Sequence, residues 1–236
     1  MKTYILEFLF LIAVITVPIL SSSQSEGKVK LNRYTIDLEN SDRSLLVSQT
    51  IWYKNEQSIQ EIPHLNINTD SLGTHTEINI KYYLFIDASL WLCYYFKDFS
   101  SKAKIVKSNK GNCQIQKLGG WDMNGVVPGF ETENLARMSD TFLLGYKYER
   151  YLFEKQNNGN TNHYILYAQK NKFEIPIKLF KYFSEKIESS VVRMDTYYNN
   201  QLVGITHIEY LSDTLTTDET YLFQRWSKRL KLDKCK

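Results

Sequence analysis

The chain has 236 residues, a net charge of +3, and 43% hydrophobic and 14% aromatic side chains, a composition typical of one large globular domain or two small ones. Four prolines and ten glycines exclude a collagen-like or low-complexity chain. The 29 basic and 26 acidic residues form no dense basic run. Nucleic acid is therefore not an expected partner, because phosphate binding needs clustered positive charge.

The amino-terminal segment has the pattern of a secretory signal peptide. Lys2 precedes an apolar run from Phe8 to Leu20, and small serines follow as far as Ser23. The run is shorter than the roughly 20 residues that cross a bilayer. We predict a signal peptide over residues 1–23 and a single β-rich domain over residues 24–236. The mature protein is then secreted or lies in the secretory lumen, with no integral membrane segment. An uncleaved membrane anchor is the alternative.

Alternation of apolar and polar residues predicts strands along most of the mature chain. The clearest stretches are Leu45–Tyr53 and Ile78–Ile86. Asn- and Gly-rich turns divide most of the later stretches into hairpins, since these residues adopt the positive φ of tight turns. The further predicted strands are Leu90–Phe96, Lys104–Lys107, Cys113–Leu118, Phe142–Phe153, His163–Ala168, Phe173–Phe183, Val191–Tyr198 and Leu202–Tyr210. Consecutive strands without intervening helices favour an antiparallel meander.

Two segments have helical patterns. Gly129–Ser139 is predicted as a short helix. A second helix begins near Thr217, where acidic residues follow a capping signal. Leu222, Trp226 and Leu230 recur every four residues in it, which predicts an amphipathic helix packed on the sheet.

The three cysteines are too few for a disulfide scaffold. In an oxidising compartment an odd number leaves one thiol unpaired or joined to a partner chain. Cys93 and Cys113 lie in neighbouring predicted strands and are the preferred pair. A bridge from either of them to Cys235 is the alternative.

Short motifs of catalysis are absent from the sequence. It has no phosphate-binding glycine loop, no Gly-x-Ser-x-Gly elbow and no His-Glu-x-x-His pair,. His75 and Glu77 share a strand face, a spacing that also arises by chance. Asp122 and Glu131 are carboxylates no better placed for glycoside chemistry than other surface acids. We predict a non-enzymatic protein with no metal and no cofactor.

Three stretches carry a resemblance to a known family. They are Leu143-Leu144-Gly145-Tyr146, Tyr164-Ile165-Leu166-Tyr167 and Glu174-Ile175-Pro176-Ile177. A Gly-Tyr step into a strand, a strand with Tyr-x-x-Tyr spacing and a strand opening around proline together resemble the LolA-like superfamily, particularly its ependymin-related and invertebrate secreted branches. Those relatives usually carry more cysteines and often glycosylation sequons, and this chain has no sequon.

The resemblance implies a mainly β fold, a curved antiparallel sheet forming a half-barrel, with one or two short helices packed on it. It also implies a lipid or other hydrophobic ligand in the concavity. Two strand rows are the predicted cavity wall: Ile78, Ile80, Tyr82 and Leu84 in one, and Leu144, Tyr146, Ile165 and Tyr167 in the other. A register error of one residue would move a row to the opposite face. The alternative function is a secreted interaction or extracellular-matrix module without a ligand cavity.

Overall fold

The structure, a computed structural model, describes residues 25–37, 44–70, 73–90, 92–110, 134–157, 160–170 and 177–234. The strands are β1 (Glu26–Thr35), β2 (Leu45–Lys54), β3 (Gln57–Asp70), β4 (Gly73–Asp87), β5 (Leu92–Phe96), β6 (Ile105–Lys110), β7 (Ala136–Leu143), β8 (Tyr146–Asn157), β9 (Asn160–Gln169), β10 (Ser190–Tyr198) and β11 (Gln201–Ser212). The helices are α1 (Lys178–Ile187), between β9 and β10, and α2 (Thr217–Lys234), after β11.

All of these strands belong to one sheet, in the order β6-β5-β4-β3-β2-β1-β11-β10-β9-β8-β7. Every pairing in it is antiparallel. The sheet is curved and unclosed. Two meanders therefore run outwards from the central β1–β11 pair, and the prediction of a mainly β fold with a curved antiparallel sheet and short helices is confirmed.

The predicted asparagine turns join strands as expected. Asn199 and Asn200 connect β10 to β11 with φ of 48° and 62°, the left-handed region that tight hairpins require. Strands β8 and β9 pair as far as Asn157 opposite Asn160. These hairpins fix the register of the carboxy-terminal half of the sheet.

The pairing register assigns side chains to two faces, because directly opposed residues of neighbouring strands point the same way. Val29 lies opposite Ile51 and Leu31 opposite Ile208. These residues cluster with Phe180 of α1, so we call their side of the sheet the α1 face. Residues that alternate with them occupy the other side, the α2 face.

The two helices pack on opposite faces of the sheet, and each covers part of the face on which it lies. On the α1 face, Phe180 and Phe183 are buried against strand residues that include Phe153 and Leu166. On the α2 face, helix α2 packs over the amino-terminal strands. Its core comprises Trp52, Ile59, Phe85, Leu92, Tyr94, Phe96, Ala103, Leu222, Phe223, Trp226 and Leu230. The amphipathic helix predicted from Thr217 onwards is thus confirmed.

The predicted strand Phe173–Phe183 is wrong where the structure describes it, since Lys178–Ile187 is helical. Phe180, Phe183 and Ile187 recur at helical spacing, which places them on one face of α1. Glu188 ends the helix in the left-handed conformation with φ of 53°,. Residues 171–176 lie outside the described residues.

The predicted helix Gly129–Ser139 is also wrong in its described part, where β7 begins at Ala136. Ala136 pairs with Leu152 of β8, and this pairing overrides the local helix propensity. The predicted strand Phe142–Phe153 is divided by a turn at Leu144 and Gly145. Strands β1 and β3 were not predicted.

The predicted signal peptide, residues 1–23, and the predicted strand Cys113–Leu118 lie outside the described residues. In the described ranges, neither helix has the combination of length and apolarity needed to cross a bilayer.

Candidate ligand-binding site

A third apolar cluster lies on the α1 face of β3, β4 and β5. It comprises Ile62, Tyr82, Leu84, Ile86, Cys93 and Tyr95, and we call it the β3–β5 patch. Leu84 lies opposite both Gln60 and Tyr95 and is fully buried. Among the described residues this cluster contains strand residues only, whereas each of the other two includes a helix. Ile62, Leu84, Ile86, Cys93 and Tyr95 are each 8% exposed or less, so atoms of the protein itself cover them. The cluster is the candidate site because apolar side chains of this kind line ligand sites.

Polar side chains are buried beside the β3–β5 patch on the same face. Ser58 and Gln60 are fully buried, and the Gln60 amide Nε2 donates a hydrogen bond to Ser58 Oγ at 3.2 Å. Gln49, two residues before Ile51 on β2, is also buried. Burial raises the pKa of Tyr95 to about 12, so its hydroxyl stays neutral at physiological pH. Polar side chains are thus buried next to the apolar wall.

Two lysines flank the rim of the patch at Tyr82. The Tyr82 ring is half-buried and meets the Tyr95 ring edge-on, with centroids 5.8 Å apart. Lys81 Nζ lies 5.5 Å and Lys97 Nζ 6.0 Å from the centroid of the Tyr82 ring, within cation–π range. Both lysines are exposed. In the described part of the chain neither forms an ion pair, so both ammonium groups can receive an anion.

A β-bulge places Lys81 at this rim. Ile62 pairs with Tyr82 and Pro63 with Ile80, which leaves Lys81 without an opposite residue. Pro63 has no N–H to donate to the ladder, so an irregularity is expected beside it. A bulge of this kind bends the strand and redirects side chains.

The bulge also divides the first predicted cavity row. Tyr82 and Leu84 belong to the β3–β5 patch. Ile78 and Ile80 pair instead with Leu65 and Pro63, which alternate with Ile62 on β3. The two isoleucines therefore lie on the opposite face from Tyr82, and Ile80 is 38% exposed.

The second predicted row does not join the first. Ile165 and Tyr167 pair with Asp195 and Arg193 on the α2 face, whereas Leu166 between them belongs to the α1 cluster. Ile165 and Tyr167 thus lie on the opposite face of the sheet from Tyr82 and Leu84. Leu144 and Tyr146 are at the β7–β8 turn, 98% and 64% exposed, and Tyr146 lines an open depression of about 360 Å³ there.

Tyr167 belongs to a polar cluster on the α2 face of β9–β11. Its hydroxyl donates to Asp195 Oδ2 at 2.9 Å, and Arg193 binds both Asp195 oxygens at 2.6 and 3.0 Å. Burial, followed by the Asp195 charge, raises the pKa of Tyr167 to about 12. Burial, followed by the charge of Arg193, lowers the pKa of His207. Both Asp195 oxygens accept hydrogen bonds from these partners, so the cluster links β9 to β10.

No group of three His, Cys, Asp or Glu side chains able to hold a metal occurs in the described ranges. His75 and Glu77 are both in β4. His163 Nδ1 lies 3.1 Å from Glu154 Oε1 across the β8–β9 pair. Asp122 and Glu131 lie outside the described residues.

Cys93 is fully buried in the β3–β5 patch. Cys113 and Cys235 lie outside the described residues, so the pairing of Cys93 with Cys113 stays a prediction.

Sequence reasoning missed Lys81 and Lys97. A signal was present, because Lys81 is the one charged residue in the stretch Ile78–Ile86. A lysine inside such an apolar stretch marks a bulge, an edge or a charged site. Lys97 directly follows β5 and carried no comparable signal.

No family model and no curated protein matches this chain.

Proposed function

We propose that this protein is a secreted, non-enzymatic carrier of a hydrophobic ligand that has an apolar chain and one anionic group, such as a long-chain carboxylic acid. The observation that carries the proposal is the β3–β5 patch with two unpaired ammonium groups at its rim. Secretion after cleavage near Ser23 and membership of the LolA-like superfamily belong to the same proposal. The curved, unclosed antiparallel sheet supports the family assignment at the level of architecture.

The apolar chain of the ligand packs against Leu84, Ile86 and Tyr95. These side chains are 0%, 2% and 5% exposed, so the chain takes the place of the protein atoms that cover them. Burial of each methylene group is favourable by about 0.8 kcal/mol, so a long acyl chain supplies most of the affinity. Such a site needs no catalytic group.

The anionic group lies near Lys81 and Lys97. The Tyr82 ring separates the two ammonium groups from the apolar wall, which suits an amphiphile with its charge at one end. Each charged contact at a partly exposed site contributes roughly 0.7 kcal/mol. Together the lysines then favour a carboxylate over a neutral head group by about tenfold.

Titration with a fluorescent fatty acid, cis-parinaric acid, and with its uncharged methyl ester tests this assignment. In the double variant Lys81→Gln/Lys97→Gln the dissociation constant of the acid is expected to rise about tenfold, because both charged contacts are lost. The dissociation constant of the ester should stay unchanged.

The matched control is Lys102→Gln/Lys228→Gln, which removes two exposed lysines outside the proposed rim. It should bind the acid like the wild type. Equal affinity of the wild type and the rim variant for the acid would reject the head-group site. Failure of the folded wild type to bind either probe would reject the carrier and favour an interaction module.

A further inference from the structure

The β7–β8 hairpin presents an apolar tip to solvent. Phe142 is 70% exposed, Leu144 98% and Tyr146 64%, and all three lie within five consecutive positions of the chain. Large apolar side chains this close together and this exposed are typical of interaction sites. The β3–β5 patch is formed by other strands, so this tip is an independent feature.

The backbone at the tip is unfavourable for the residue that it carries. Leu144 has φ of 51° and Gly145 φ of 84°, and these two residues form the turn between Leu143 and Tyr146. Asn, Asp or Gly normally occupies a left-handed turn position, whereas a leucine there is uncommon. The exposed leucine therefore contributes neither packing nor turn stability. A backbone outlier of this kind, at a residue that does not stabilise the fold, indicates a functional role such as binding.

The residues behind the tip carry more positive than negative charge. Asp140 pairs with Arg137 and with Lys147, the latter at 2.9 Å. Arg137 also lies 3.5 Å from Glu149.

Lys170 lines the same depression of about 360 Å³ as Asp140, Lys147 and Glu149. Arg150 Nε donates to the Ser139 carbonyl. Four cations and two carboxylates thus lie behind the tip, and the excess of positive charge makes this surface complementary to anionic phosphate groups.

We propose that the β7–β8 hairpin docks the protein on anionic membrane surfaces. Leu144 and Phe142 enter the acyl boundary, Tyr146 lies at head-group depth, and Lys147 with Lys170 faces the lipid phosphates. Elements that bind at the bilayer interface insert apolar side chains and place basic side chains against the lipid phosphates. The apolar tip and the basic residues behind it have this arrangement. Tyrosine is favoured at that depth because its ring is apolar and its hydroxyl polar.

Flotation with vesicles tests the proposal, with vesicles of phosphatidylcholine alone and of phosphatidylcholine containing 30% phosphatidylserine. The full mature chain is expected to float with the anionic vesicles and much less with the neutral ones. The variant Phe142→Ser/Leu144→Asn should lower the partition coefficient about tenfold or more. Asparagine suits the left-handed turn, so thermal stability should be kept or raised while vesicle binding falls. A purely structural role of the tip would not give that combination.

The matched control is Leu46→Thr/Ile67→Thr, which removes two exposed apolar side chains, 54% and 60% exposed, from β2 and β3. It should bind vesicles like the wild type. The proposal is overturned if the wild type does not float with anionic vesicles, as expected for a tip that docks on a protein instead. It is also overturned if the tip variant floats as well as the control.

Discussion

Replacing Trp226 by alanine is expected to lower the free energy of unfolding by about 4 kcal/mol, the upper range for buried aromatic truncations. Trp226 is completely buried. Its ring stacks on Phe96 with centroids 3.8 Å apart and planes 6° from parallel, and its Nε1–H donates to the Ser100 carbonyl at 3.1 Å. The substitution removes the largest side chain that fastens α2 to the sheet and leaves a cavity.

Urea unfolding of the mature protein measures this loss. Tyr221→Ala is the control, because Tyr221 lies on the same helix but is 49% exposed. Its effect should be within about 0.5 kcal/mol. A loss below about 1 kcal/mol for Trp226→Ala would contradict the packing of α2 on the amino-terminal strands.

Replacing Glu219 by alanine is expected to cost about 2 to 3 kcal/mol at pH 7. Glu219 Oε2 accepts from the Thr216 N–H at 2.8 Å while the Glu219 N–H donates to Thr216 Oγ1 at 3.2 Å, a reciprocal capping box. Glu219 Oε1 accepts from Trp52 Nε1 at 2.8 Å and pairs with Lys28 Nζ at 3.0 Å. One carboxylate thus starts α2 and ties it to β1 and β2.

The same carboxylate predicts a pH dependence. Burial acts to raise the pKa of Glu219, but hydrogen bonds from Thr216, Lys28 and Trp52 outweigh it, and the pKa lies below the ordinary value of 4.5. The folded state therefore binds this proton less readily than the unfolded state. The contribution is fully present above about pH 4.5 and is lost as the pH falls through the lower, folded-state pKa.

Urea unfolding of the wild type and of Glu219→Gln between pH 7 and pH 3 tests whether the stabilisation by Glu219 decreases at low pH. The stability difference between the two proteins should shrink as the pH falls below 4.5, because glutamine does not titrate. Asp218→Asn, in the same helical turn, is the control. A difference that stays constant over this range would show that the charge of Glu219 does not stabilise the fold.

The hairpins could be predicted because their signals are local. Asparagines at positive φ, such as Asn199 and Asn200, and two-residue periodicity in the flanking strands depend on neighbouring residues alone. Helix α2 was predictable for the same reason, since its capping signal and its apolar stripe are continuous in sequence. Within each meander the strand order required only that consecutive strands pair. The central β1–β11 pairing joins distant parts of the chain, and no local signal predicts it.

The candidate site could be predicted only in part. The face of the sheet on which a side chain lies depends on how its strand pairs with neighbours that are distant in sequence. The bulge at Lys81 shifts the register between Tyr82 and Ile80. Lys81 and Pro63 are local signals of an irregularity, but neither specifies how the pairing of β3 with β4 shifts. The face on which Tyr167 lies follows from its pairing with Arg193 of β10. The sequence of β9 alone does not specify that pairing. Leu144 was predicted to lie in a strand, because turns with left-handed positions usually carry Gly, Asn or Asp there and not leucine.

The measurement that tests the central claim most directly is native mass spectrometry of the mature protein purified from the medium of secreting cells, followed by organic extraction and lipid analysis. The proposed carrier should retain close to one acyl ligand with a single negative charge per chain, and the Lys81→Gln/Lys97→Gln variant should retain less. Recovery of ligand-free protein from cells supplied with long-chain fatty acid, with no mass shift when the acid is added back, would contradict the carrier function.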